Sequence, residues 1–187
     1  MCLHPAIVTT DYVGDSGKFI EAHRLINGKL KCKGKILVFS QFTSVLDKFG
    51  EELKAENIEF YKLTGNTSAM ERIELVNRFN HRRDVNVFLI SLKAGGTGLN
   101  LTGANLVIHF DPWWNPAVES QATDRAYRIG QKRQVEVVKL IAKDTIEEKI
   151  ILMQEEKQEL IGNILSGEGI SKNNLNKNIV EDIIKNL

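Results

Sequence analysis

The sequence predicts an α/β domain built on a mainly parallel sheet with helices on both faces. Short apolar runs, β-branched in part, alternate with amphipathic stretches from Lys35 to Leu165. Most of these runs are apolar throughout, as strands covered on both faces are. Segments with turn-forming or polar residues follow several of them, at the carboxyl ends where such sheets bind ligands.

Each element carries its own signal. From Ser16, the residues Phe19, Ile20, His23, Leu25, Ile26 and Leu30 recur at helical spacing, and Asn27-Gly28 marks where that helix ends or kinks. KILVF from Lys35 to Phe39 reads as a buried strand; Phe42, Val45, Leu46, Phe49 and Leu53 then hold one apolar stripe on a helix. Ile58 to Leu63 is the next strand, and Ser68 with Glu71 forms a capping box ahead of a third helix. Val85 to Ile90 is strand-like and opens into SLKAGGTGLNLTGAN, after which Leu106 to Phe110 is again a strand.

The DPWWNP turn leads to a helix capped by Asn115 with Pro116 at its first position, where the missing N–H costs nothing. Val135 to Ile141 supplies a further strand. Asp144 and Glu147 make a second capping box, opening a long helix with Ile146, Ile150, Met153, Leu160 and Ile164 on its apolar side. The Lys- and Asn-rich remainder has one amphipathic patch at Ile179, Ile183, Ile184 and Leu187. The expected organisation is a connector over 1–15, a core domain over 16–143 and a helical extension over 144–187.

The 187 residues, 42% hydrophobic and 26% charged, suit one soluble domain with an appendage. No apolar run reaches membrane-spanning length and the N-terminus lacks a signal peptide's apolar stretch, so an intracellular chain with no membrane partner is expected. Cys2 and Cys32 make no disulfide framework, and together with His4 and His23 they match no zinc spacing. No metal site is expected. A net charge of +1 confines any nucleic-acid surface to a local patch. Lys29, Lys31, Lys33 and Lys35 form one basic cluster and Arg78, His81, Arg82 and Arg83 another, each read first as a solvated face.

The chemistry concentrates in the segment from Asn115 to Gln131. On a continuous helix Gln121, Arg125 and Arg128 fall at i, i+4 and i+7 and share a face, with Val118, Ala122 and Ile129 packing opposite. Two guanidinium forks pointing outward together suit a phosphate that gathers charge; the plainer alternative is a surface helix with an Asp124–Arg128 pair. In AGGTG, Gly95, Gly96 and Gly98 let the backbone approach an anion, with Lys93 and Thr97 adding a charge and a hydroxyl. GDSGKF at Gly14 is too short between its glycines for a P-loop and has no Ser or Thr after Lys18. Of the adjacent Trp113 and Trp114, one is expected packed and one exposed, the latter available to nucleic acid or a protein. Phosphate-contacting groups without a phosphate cradle amount to half an active site, the half that carries an arginine finger.

The run SLKAGGTGLNLTGANLVIHFDPWWNPAVESQATDRAYRIGQ resembles motifs V and VI of the SWI/SNF-type ATPases, helicase-superfamily-two motors that translocate on double-stranded DNA. KILVFSQF resembles motif IV, YKLTG the DNA-contacting block after it, and CLHP the segment between the two motor lobes. The resemblance fades after about Ser166. It implies the C-terminal RecA-like lobe, a three-layer domain of the P-loop NTPase type with a C-terminal helical extension that braces the motor.

Carried onto matching positions, Arg128 would be the finger, with Arg125 and Gln121 beside it, and Gly96, Gly98 and Asn100 would lie at the ATP interface. Ser40, Gln41, Thr64, Gly65, Lys93, Gly95, Thr97, Trp113 and Trp114 would form the DNA groove. ATP and Mg²⁺ belong to the complete two-lobe protein, and neither is expected on this lobe alone. The implied partners are double-stranded DNA, the N-terminal RecA-like lobe and a protein displaced from DNA.

The first lobe is missing from the sequence, so a fragment or a split gene product is expected, inactive as an ATPase by itself. Small surface loops and the Ile-, Lys- and Asn-rich tail point to a prokaryotic, nucleoid-associated role in the cytoplasm; a eukaryotic source would place it in the nucleus. Two further readings stand beside the motor: a stand-alone nucleic-acid or protein-binding module, and a strand-separating helicase.

Overall fold

The computed structural model describes residues 5–7, 14, 16–95, 98–128, 131 and 133–166. Cys2, His4, Gly96, Thr97, Ile129 and the patch from Ile179 to Leu187 lie outside them. Helix α1 (Gly17–Lys31) precedes β1 (Ile36–Ser40), α2 (Thr43–Ala55), β2 (Phe60–Leu63), α3 (Ala69–His81) and β3 (Val87–Ser91). A single turn, α4 (Leu92–Gly95), leads on to β4 (Leu106–His109), α5 (Pro116–Thr123), β5 (Glu136–Lys139) and α6 (Ile146–Ser166).

The five strands form one sheet in the order β2-β3-β1-β4-β5, and every pairing is parallel. Side chains alternate across it. Leu37, Phe39, Phe88, Ile90 and Val107 join the core under α3 and α5. Ile36, Val38, Val87, Leu89, Leu106 and Ile108 join the core under α1 and α2. Two apolar cores on opposite faces are why β1, β3 and β4 are apolar at every position before their last, Ser40, Ser91 and His109.

Several local expectations shift. Helix α1 runs through Asn27-Gly28 to Lys31, because Phe19, Ala22 and Ile26 anchor it by burial. The second capping box moves one residue along. The Thr145 hydroxyl accepts from Glu147 N at 3.2 Å and Glu148 reaches back to Asp144 N at 2.9 Å. Glu147 is drawn inward instead, to the buried ammonium of Lys18 at 2.5 Å and to Ala142 N at 2.8 Å.

Part of the expected apolar side of α6 is turned outward: Ile146 is 59% and Met153 60% exposed, and Ile150 is half-buried, while the side chains of Leu160 and Ile164 lie outside the described ones. Its inward side carries Glu147 and Gln154, one helical face at i and i+7, because buried polar partners wait there. In the first basic cluster, Lys35 is buried and its ammonium donates to the carbonyls of Phe79, Asn80 and Arg82. It thereby closes the C-terminus of α3. Lys29 pairs with Glu136 at 3.0 Å and Arg78 with Glu74 at 2.5 Å, so each cluster is tied in part to neighbours.

Candidate functional site at the carboxyl rim of the sheet

A parallel sheet puts all its carboxyl ends on one rim. Gln41 follows β1, Thr64 and Gly65 follow β2, Lys93 and Gly95 follow β3, and Trp113 and Trp114 follow β4. Strand β1 sends its chain towards β2 on one side, while its neighbour β4 sends its chain towards β5 on the other. A crevice opens where such connections diverge. Asp111 sits there, 1% exposed, accepting the Ser40 hydroxyl and the Gln41 backbone N–H at 2.9 Å. Burial pushes its carboxyl up to about 6, against the Gln41 and Ser40 hydrogen bonds that favour the anion. Ser40 is thus turned into the protein, towards Asp111, and Gln41 donates its side-chain amide to Pro112 O at 3.3 Å.

At the neighbouring strand end, Arg72 of α3 organises the rim, a residue that sequence reasoning passed over. Its guanidinium donates to the carbonyls of Thr67 at 2.9 Å, Thr64 at 3.1 Å, Gly65 at 3.2 Å and Ala94 at 3.5 Å. One cation therefore fixes the LTG turn against α4. Lys93 is exposed on α4, whereas Gly95 is buried: a Cβ there would meet Phe39 Cε1 at 3.0 Å. Gly98 has φ +55 and faces open space, and Asn100 is exposed beside it. Asn80 stitches this loop to α3, donating to Asn100 O at 2.7 Å and accepting from Gly103 N at 3.1 Å.

The arginine segment departs most from expectation. Asn115 caps α5 as anticipated, accepting from Ala117 N at 3.2 Å, but the helix stops at Thr123. Beyond it the turns tighten: Arg125 N bonds to Ala122 O at 3.3 Å and Ala126 N to Thr123 O at 2.9 Å, spans of three residues. The Arg125 carbonyl is taken by Leu101 N at 2.8 Å, a tertiary bond to the loop before β4. Gln121, Arg125 and Arg128 therefore do not share a helical face. Gln121 and Arg128 are exposed, while Arg125 is 5% exposed. Burial, with the charge of Arg128 adding to it, pushes Arg125 below its ordinary value.

Further bonds tie Tyr127 and Gln131, on either side of Arg128, to the rest of the domain. Tyr127 donates its hydroxyl to Val135 O at 2.7 Å, and Gln131 donates its amide to Ala104 O at 2.8 Å. Trp113 packs against the core whereas Trp114 is exposed, with Lys157 5.3 Å from its ring centre. One ring packed and one exposed is the expected division.

A cavity of about 610 Å³ separates α3 from the loop at Gly98 and Asn100. Its walls include Ala69, Ile73, Val76 and Leu99, and Arg72 beside them is already bonded to backbone carbonyls. Such a lining does not fit a triphosphate. Among the described residues no cluster of carboxylates or imidazoles could hold a metal ion, and none of the helices is long and apolar enough to cross a membrane. Arg128 is exposed, and a guanidinium fork matches the edge of a phosphate in shape and charge.

Residues 17–130 match the helicase conserved C-terminal domain. The chain belongs to that family, as an SNF2-type lobe. This helicase C-terminal lobe is 47% identical over 151 residues to an uncharacterized ATP-dependent helicase of Mycoplasma pneumoniae, covering 81% of this chain and 15% of that protein. It is 42% identical over 156 residues to the human chromatin-remodeling ATPase INO80, covering 83% of this chain and 10% of that one. It superimposes on the Sulfolobus solfataricus SWI2/SNF2 ATPase core in complex with double-stranded DNA with a TM-score of 0.70. That match has 39% identity and covers 88% of this chain and 35% of that one. The lobe thus spans a small part of the length of its curated relatives. Its parallel sheet with flanking helices is the RecA-like arrangement of C-terminal ATPase lobes.

Proposed function

We propose that this lobe is the second half of an ATP-driven motor that moves along double-stranded DNA and displaces bound proteins. ATP and Mg²⁺ would be held mainly by a P-loop lobe of the complete protein. The observation that carries the reading is the division between the two arginines. Arg125 is buried, with its carbonyl bonded to Leu101 N, and Arg128 stands exposed three residues on. A buried, tethered residue supplies the fixed base from which an exposed guanidinium reaches a phosphate on another lobe. Arg128 would stabilise charge gathering on the transferred phosphoryl group, an effect worth about 10³ to 10⁵ in rate. Gln121, Gly96, Gly98 and Asn100 would line the same interface.

The DNA groove is assigned to the rim. Thr64, Gly65, Lys93, Thr97 and Trp114 would present atoms to the phosphate backbone. The buried Ser40 and Gly95, with the half-buried Trp113 and Gln41, would hold those turns in shape. The duplex in the Sulfolobus structure supports double-stranded DNA as the track.

The test compares this chain with the longest natural chain containing it, each given ATP, Mg²⁺ and linear duplex DNA. Turnover is expected from the longer chain and none from this one. Hydrolysis by this chain alone would overturn the reading, and DNA binding without turnover by the longer chain would favour a plain binding module.

A further inference from the structure

We infer that Gln154 and Glu119 are positioning residues for the arginine segment, a buried polar knot through which the C-terminal helix α6 fixes α5 and thereby Arg128. The inference rests on the reading of Arg128 as a finger. It concerns a helix that begins beyond the 17–130 span matched by the family.

Helix α5 has eight residues, too few to be stable in isolation, so tertiary contacts must set its position. At its leading end Glu119, 2% exposed, accepts from Trp113 N at 2.6 Å and from Gln154 Nε2 at 3.0 Å. The same Gln154 amide donates to the Trp113 carbonyl, so the side chain from α6 holds both the DPWW turn and α5. Lys139 of β5 completes the knot, 2.6 Å from Glu119 Oε2 and 3.2 Å from Gln154 Oε1. At the trailing end His109 Nε2 meets the Thr123 hydroxyl at 2.9 Å, and Leu101 takes the Arg125 carbonyl at 2.8 Å.

Gln154 is chemically suited to this place. A neutral amide can donate to a carboxylate and a carbonyl while accepting from an ammonium, which neither a carboxylate nor an ammonium can do. The apolar residues Ile146, Leu152 and Met153 of α6 are exposed and Ile150 and Ile151 only half-buried, so the buried anchors at this end are Gln154 and the Glu147–Lys18 pair. Hydrogen bonds of this kind are directional, and they fix the angle of α5 as apolar contact would not. A small misplacement of a catalytic group lowers turnover steeply.

The experiment measures DNA-stimulated ATP turnover in the longest natural chain containing this segment. Gln154→Ala and Lys139→Met are each made alone and with Arg128→Ala; Leu152→Ala, exposed on the same helix, is the control. We expect Gln154→Ala to lower kcat about tenfold with KM for ATP and DNA affinity unchanged, and Lys139→Met about threefold. Neither should lower turnover further once Arg128 is gone, because both act through it. Leu152→Ala should match the wild type.

Losses that multiply with Arg128→Ala, or normal turnover in folded Gln154→Ala beside a crippled Arg128→Ala, overturn the inference alone. If Gln154→Ala does not fold, the Lys139→Met series decides by the same criteria. Unchanged turnover in Arg128→Ala overturns the finger reading itself, and with it this inference.

Discussion

Asp111, just after β4, accepts the backbone N–H of Gln41, just after β1, at 2.9 Å. Two neighbouring strand ends are thereby locked across the crevice of the sheet, and Ser40 adds its hydroxyl to the same carboxylate while accepting from Phe42 N at 3.1 Å. Ser40→Ala removes these contacts of the hydroxyl and leaves a buried carboxylate short of a donor. The expected cost is about 1 to 2 kcal/mol in urea unfolding. The Asp111 titration should also move above its value of about 6, since the lost bond favours the anion. A carboxyl NMR titration unchanged by the substitution would contradict this.

Two buried groups give opposite pH slopes. Burial raises Asp111 from 3.8 to about 6. Between those values the folded chain keeps a proton that the unfolded chain has lost, so stability falls as pH rises, by about 3 kcal/mol in all. Burial lowers His109 from 6.5 to about 4, with Glu119 opposing and Lys139 reinforcing the shift. There the unfolded chain binds the proton first, so stability rises with pH by a similar amount. His109→Gln should expose the falling slope and Asp111→Asn the rising one, read by denaturant unfolding from about pH 4 to pH 6. Identical profiles for the two variants would show the assignments to be wrong.

The two glycines at the ends of the AGGTG loop that the structure describes serve different needs. Gly95→Ala brings a Cβ to 3.0 Å from Phe39 Cε1, inside the core, and is expected to cost about 1 to 2 kcal/mol. Gly98→Ala meets no neighbour but must hold φ +55, at about 1 kcal/mol. Thermal unfolding should show both losses; a larger effect at Gly98 than at Gly95 would contradict the packing role of Gly95.

The parallel sheet, its two covered faces and the rim of turns were legible in the sequence because apolar runs and helical stripes are set by local periodicity. So was the Ser68 cap, whose hydroxyl accepts from Glu71 N at 3.3 Å. What periodicity could not carry is tertiary competition. Nothing between Ala122 and Ile129 breaks a helix by composition; yet α5 ends at Thr123, the turns after it tighten, and Leu101, over twenty residues earlier, takes the Arg125 carbonyl. The stripe on α6 was real as a pattern, yet Ile146 and Met153 of it face outward, since the inward side there is chosen by Lys18, Lys139 and Glu119. Arg72 went unnoticed because its partners are backbone carbonyls, which no side-chain motif announces. The residue types of the arginine segment were readable, and their arrangement was not.

The most direct test of the motor reading is single-turnover and steady-state ATP hydrolysis, with duplex DNA, by the longest natural chain containing this segment, as wild type and as Arg128→Ala. The account predicts a loss of about a hundredfold or more in kcat with ATP affinity retained, because the guanidinium acts on charge that develops in the transition state. Turnover that survives the substitution unchanged would contradict it.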